Sequence, residues 1–142
     1  MKNLILFLLA LIFSTACTVN NATESIIDSK LTIEDQSIKN LQNLSGSFKI
    51  TNDTQEPIGF GFSSGCQSTF SIYKDGILVF NGRKNLFCTQ ALTSFELKVS
   101  ESKTFPLSND FEKHLEPGNY TIKSYLIGYE DEVFARGSFT VN

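Results

Sequence analysis

The sequence predicts an all-β domain, an antiparallel immunoglobulin-like β-sandwich of about seven to nine strands. Three observations carry this expectation. Apolar and polar residues alternate with period two through most of the chain. The two-residue hairpin signal Asp75-Gly76 joins two such runs. No apolar pattern of period 3.6 persists for three turns, which removes helical and α/β alternatives.

The chain opens with a leader. Met1-Lys2-Asn3 carries one positive charge, Leu4 to Phe13 is an unbroken apolar run, and Ser14-Thr15-Ala16 supplies small residues. This order defines a secretory signal peptide over residues 1–16. The apolar run spans only about 15 Å as a helix, half of a bilayer core, too little for a permanent transmembrane helix.

Cys17 follows the small residues and resembles the modified cysteine of a bacterial lipobox. There the thiol takes a diacylglycerol and the new amine takes a further acyl chain such as palmitate. Ser14 stands where that pattern favours Leu, and ordinary cleavage after Ala16 is the alternative. Parity favours lipidation: of three cysteines in an exported protein, one is left over after any disulfide. Two or more acyl chains suffice for stable anchoring. Thr18 after Cys17, in place of Asp, favours the outer membrane, facing the periplasm; a soluble secreted or periplasmic protein is the alternative. Residues 17–28 read as a lipidated tether, polar from Thr18 to about Asp28 and no longer than about 40 Å.

Residues 29–142 then form one domain. Leu31 and Ile33 begin a first strand. Phe48 and Ile50 lie in Gly46 to Thr51, which ends at the turn-prone Asn52-Asp53. Ile58, Phe60 and Phe62 alternate with Gly59, Gly61 and Ser63. Phe70 and Ile72 precede the Asp75-Gly76 turn, and Ile77 to Phe80 returns from it. Phe95, Leu97 and Val99 share one parity; Phe105 and Leu107 follow a Ser100-Glu101-Ser102 turn. Tyr120 to Ile127 and Val133 to Val141 close the chain as two long strands. Asp110 to Leu115 is compatible with one helical turn. Eleven phenylalanines outside the leader are expected to fill the space between sheets, and the absence of tryptophan argues against a true antibody-type domain.

Composition excludes several functions. Without the leader the chain keeps 11 basic and 15 acidic residues, so it is acidic and has no patch for a phosphate backbone or nucleic acid. It is too short for a TIM barrel, a doubly wound dinucleotide fold or a full α/β-hydrolase. One histidine and no C-x-x-C leave no metal site of the zinc kind, and no cofactor motif is present.

Cys66 and Cys88, 22 residues apart and each near the end of a strand-like run, are expected to form a disulfide in an oxidising compartment. It would pin the Asn81 to Leu86 loop, whose Arg83 and Lys84 are the candidate partner-binding residues. A constrained basic loop is what a substrate-like inhibitor presents to a trypsin-like protease. Leu115-Glu116-Pro117-Gly118-Asn119-Tyr120 is the sharpest local motif. Pro117 and Gly118 make a turn and Tyr120 bonds back to nearby backbone, a structural corner.

Other motifs carry less. Gly61-Phe62-Ser63-Ser64-Gly65 fits G-x-S-x-G, with Asp110 and His114 in hydrolase order, but no helix signal follows Gly65 and a surface position suits His114. Glu130-Asp131-Glu132 is three carboxylates in a turn, without the spacing that calcium wants. Asn21, Asn43, Asn52 and Asn119 head N-x-[ST] sequons, which a bacterial leader leaves without a glycosylation role. No catalytic constellation emerges, and the chain is expected not to be an enzyme.

With the strands placed, residues 44–142 resemble the BsuPI-related family, the intracellular proteinase inhibitors of bacteria. The resemblance rests on Phe48 to Thr54, Ile58 to Gly65, the Phe70 to Phe80 hairpin, the segment Phe87-Cys88-Thr89-Gln90-Ala91-Leu92, and the turn Leu115 to Tyr120. It implies a β-sandwich that binds a protein partner, a protease. Two departures stand out: this chain carries an export leader, and Val79-Phe80-Asn81 replaces the tryptophan that often follows the hairpin. Export also gives Cys66 and Cys88 a use that a cytosolic relative would lack. The expected function is a non-catalytic cell-envelope lipoprotein with a protein-binding β-sandwich acting as a proteinase inhibitor. The alternative is a structural or assembly-supporting envelope lipoprotein without inhibitory activity.

Overall fold

The computed structural model describes residues 27–107 and 113–142. They form β1 (Ile27–Ile33), β2 (Ser37–Ile38), β3 (Gly46–Asn52), β4 (Ile58–Phe62), β5 (Ser68–Lys74) and β6 (Ile77–Asn81). β7 (Thr93–Leu97), β8 (Ser102–Pro106), β9 (Gly118–Leu126) and β10 (Phe134–Val141) complete the set. Two single 3-10 turns, Leu41–Asn43 and Gly82–Asn85, are the helical elements among these residues. The protein is all-β, as the alternation predicts.

The strands make a five-stranded sheet of order β2-β10-β9-β5-β6, a three-stranded sheet β1-β3-β8 and a two-stranded sheet β4-β7. β1 and β10 connect the layers: the Ile33 and Leu31 side chains lie where a Cβ on Gly137 would stand. On one side of the interior Phe70, Ile72, Tyr120, Ile122, Phe139 and Val141 pack with Leu41, Leu44, Leu107 and Leu115. On the other, Phe48, Ile50, Phe60, Phe62, Leu97 and Phe105 pack with Leu126, Val133 and Ala135. Leu31 touches both groups. Alternation produces this directly, since residues of one parity in each strand face inward together.

Three features differ from the sequence reading. β1 begins at Ile27, which is buried and pairs with Asn52, so Ile27 and Asp28 belong to the domain and not to the tether. Its residues Asp28 and Lys30 face outward and Ser29 breaks the inward apolar parity, so this half of the strand lacks the alternation of the others. β2 is two residues long and runs parallel to β10, so the five-stranded sheet is mixed and the described strands number ten. Val99 lies outside β7, in a turn closed by the Glu101 amide on the Lys98 carbonyl at 3.0 Å. Asp110, Phe111 and Glu112 of the suggested helical turn lie outside the described residues, and Lys113 to Leu115 carry no helix.

Two turn motifs serve packing. Asn52 is fully buried, and its amide donates to the Glu56 carbonyl at 2.8 Å and the Leu97 carbonyl at 2.9 Å. Its side-chain oxygen accepts from the Thr54 amide and hydroxyl at 3.0 and 2.7 Å. The Asn-x-Thr sequence there is a hub tying β3, its turn and β7, with every polar atom of Asn52 satisfied. At the other corner the Tyr120 hydroxyl donates to the Glu116 carbonyl at 2.5 Å, and its ring stacks on Phe139 at 5.6 Å. Lys74 Nζ donates to the Pro117 carbonyl at 3.2 Å, fastening this Pro117-Gly118 turn to β5.

Candidate functional site

The connection from β6 to β7 carries the candidate site. It leaves β6 at Asn81 and passes closely over β5, where a Cβ on Gly82 would run into the Thr69 hydroxyl and the Phe70 carbonyl. Only glycine lets the two backbones approach this far. Gly82–Asn85 then makes one 3-10 turn, steadied by the Asn85 amide donating to the Asn81 carbonyl at 2.8 Å.

Arg83 and Lys84 both lie in that turn and both face solvent. Arg83 Nη1 donates to Glu130 Oε1 at 2.9 Å, while 59% of its side chain stays accessible. Glu130 is brought there by the β9–β10 turn. The neighbouring Tyr129 ring stands edge-on to Phe60 at 5.2 Å, and its hydroxyl accepts from the Gly61 amide at 3.1 Å. Partial burial pushes the Glu130 carboxyl up. Hydrogen bonds from the Gly128 amide and its own amide, and the charge of Arg83, outweigh that and hold it below the usual glutamate value.

Beyond the turn the chain is extended at Leu86, with φ −83° and ψ 135°, and the Leu86 side chain packs against the first core group. Cys88 is bonded to Cys66, with S–S 2.07 Å and Cα–Cα 5.4 Å. The Gly65 amide donates to the Thr89 carbonyl at 3.0 Å, and the Thr93 hydroxyl to the Ser64 carbonyl at 2.7 Å. The segment from Cys88 to Thr93 is thus fastened along the strip Ser64 to Cys66.

Between these fastenings apolar side chains point into solvent. Phe87 is 103% exposed and Leu92 is 85% exposed. This corrects the expectation that the phenylalanines fill the space between sheets. Sequence pattern treats every phenylalanine as core, and nothing in the local alternation marks Phe87 as different. The signal that separates it is its position beside Cys88, where a disulfide holds the chain at the surface.

The remaining motifs fall elsewhere. Ser63 is exposed at the end of β4, and the chain bends through Ser64 and Gly65 into β5, with no helix to form a nucleophile elbow. His114 is exposed with Glu116 at 3.9 Å, and Asp110 lies outside the described residues. Glu130 is engaged by Arg83 and by the Gly128 amide at 3.1 Å, and Asp131 faces Lys123 at 3.4 Å. Among the described residues no group of three or more His, Cys, Asp or Glu side chains is placed to hold a metal ion. Cys17 and the leader lie outside the described residues.

An all-β domain with one disulfide-pinned surface connection is the class that this fold and site define. The family model for BsuPI, intracellular proteinase inhibitor, matches residues 31–130, and the chain belongs to this family. The match begins in β1, earlier than the motifs from residue 44 onward suggest, and ends in the β9–β10 turn, so β10 lies beyond it. No curated protein matches the sequence.

Solved structures show distant likeness. An alkylpurine DNA glycosylase from Pseudomonas fluorescens, bound to DNA containing an abasic site analogue, aligns with 84% of this chain at 11% identity and TM-score 0.49. A β-glucosidase from Listeria innocua in complex with glucose aligns with 82% at 14% identity and TM-score 0.46. The chain spans only 31% of the glycosylase and 16% of the glucosidase. A CARDB domain from Pyrococcus furiosus, in complex with di-metal ions, aligns with 82% of this chain and over 94% of its own length, at 15% identity and TM-score 0.40.

Proposed function

We propose that the protein is a non-catalytic proteinase inhibitor of the cell envelope, which holds its proteinase through the connection 82–92 and is tethered by lipid on Cys17. The observation that carries the reading is the Cys66–Cys88 disulfide beneath an exposed connection, in a chain of the inhibitor family. A loop already fixed in its bound shape loses little conformational entropy on docking, so more of its contact energy appears as affinity. Arg83, Lys84, Phe87 and Leu92 are the side chains this loop offers.

The envelope address rests on the leader, on Cys17 after Ala16 and on cysteine parity: pairing Cys66 with Cys88 leaves Cys17 as the unpaired third cysteine. Mass spectrometry of the mature N-terminus from a membrane fraction tests it; acyl chains on Cys17 are expected, and an unmodified Cys17 would leave secretion without an anchor. The inhibitor reading is tested by titrating trypsin-, chymotrypsin- and subtilisin-type proteinases with the disulfide-intact protein. Residual activity should fall with added protein for at least one of them, and indifference across the panel, or smooth digestion of the protein, would sink it.

A further inference from the structure

The loop offers two unlike anchors, and the structure separates them. We infer that Phe87 is the residue that enters the partner's primary specificity pocket, and that the partner is therefore a proteinase with an apolar pocket shaped for an aromatic ring. The inference rests on the inhibitor reading above and names the partner class for the same loop.

Geometry favours Phe87 in three ways. Its neighbours are anchored on both sides: Leu86 turns inward against the core and Cys88 is bonded to Cys66, so the residue between them is driven outward. The ring gains nothing from the fold, being fully exposed, so transfer into an apolar pocket breaks no packing. Buried aromatic anchors ringed by weaker contacts are the usual centre of a protein interface, and Leu92 supplies a second apolar contact in the same connection.

The main chain agrees. Proteinases grip extended segments through main-chain hydrogen bonds, adding the segment to a strand edge. Leu86 is extended, and among the described residues the Phe87 main chain makes no hydrogen bond, so its N–H and C=O are available. Arg83 and Lys84 instead sit inside a 3-10 turn, whose wound backbone does not match such a groove. Arg83 would also have to leave Glu130 to enter an acidic pocket.

The test measures inhibition constants of the disulfide-intact protein against a chymotrypsin-type proteinase, which prefers aromatic residues, and a trypsin-type one. Inhibition of the aromatic-preferring proteinase is expected. Phe87→Ala should weaken it by about 30-fold or more, the range of an interface anchor. Arg83→Ala should change it by less than about 3-fold, as expected of a rim charge. Phe87→Arg should move inhibition toward the trypsin-type enzyme. Because Phe87 packs on nothing, unchanged thermal unfolding in Phe87→Ala separates lost contact from lost fold. If inhibition survives Phe87→Ala, or is confined to the trypsin-type enzyme and vanishes in Arg83→Ala, the inference is overturned while the inhibitor reading stands. If the protein inhibits neither these nor the subtilisin type, the reading falls and the inference with it.

Discussion

The two connections that flank β6 are opposites. Between β5 and β6 the chain reverses in two residues, Asp75 and Gly76, both with positive φ at 51° and 79°. Between β6 and β7 it takes eleven residues, 82–92, to reach the next strand. Both expose apolar side chains: Ile77 at 69% and Leu78 at 48% beside the short turn, Phe87 and Leu92 on the long connection. The short turn is specified by its own residues, since the backbone twist that joins two strands wants left-handed conformations that Asp-Gly accepts. The long one is specified from a distance, by Cys66, Gly65, Ser64 and Glu130. A local device builds a turn; a set of remote fastenings builds a display.

The strongest way to break the contrast is to remove the covalent fastening. Replacing Cys66 and Cys88 with Ser should destabilise the domain by about 3 kcal/mol, largely through a less constrained unfolded chain. Chemical denaturation measures this. Hydrogen exchange should show faster exchange across 82–92 and unchanged protection across β5–β6; equal loosening of both would erase the distinction.

Gly82→Ala comes next, since the added methyl meets the Phe70 carbonyl and the Thr69 hydroxyl. Overpacking of this kind typically costs about 1–3 kcal/mol, readable as a lower denaturation midpoint. Gly76→Ala has open space for its Cβ and suffers only the left-handed backbone, so about 1 kcal/mol is expected. A larger loss at Gly76 than at Gly82 would reverse the ranking of local and remote control.

The smallest effect concerns Arg83 and Glu130. The Glu130 pKa is lower in the folded protein than in the unfolded chain, so this carboxylate stabilises the fold above its ordinary pKa. The contribution fades as pH falls through the lowered folded value. Glu130→Gln should therefore lose stability relative to the parent at neutral pH and converge with it in acid. A gap that stayed constant with pH would assign the effect to packing.

Sequence legibility follows the same division. Strands with unbroken apolar parity, β3, β4, β7 and β10, could be read because each inward residue reports the same buried face. The Asp75-Gly76 turn, the Tyr120 corner and the cysteine pair were legible because each has a chemical signature independent of context. β2 was not, being two residues long and held by a parallel edge contact to β10. Neither was the start of β1, where Ser29 interrupts the apolar parity. At the candidate site the basic pair Arg83-Lys84 is marked by its charge, whereas in sequence Phe87 resembles any core aromatic. Its exposure depends on the Leu86 and Cys88 anchors, and those act through residues far away in sequence.

The position of the disulfide has one more consequence, for a proteinase that succeeds in cutting after Phe87. Hydrolysis there would add one water and leave a carboxylate on Phe87 and an amine on Cys88. The first fragment would hold Cys66 and the second would begin at Cys88, so the sulfur bridge would keep them as one molecule. The sheets hold them too: β9 lies between β5 and β10, β8 beside β3, and β7 beside β4, each pairing one fragment with the other. The new ends could not be diluted away, and their mutual concentration would be set by the fold. A nick at this bond would divide the chain without dividing the molecule.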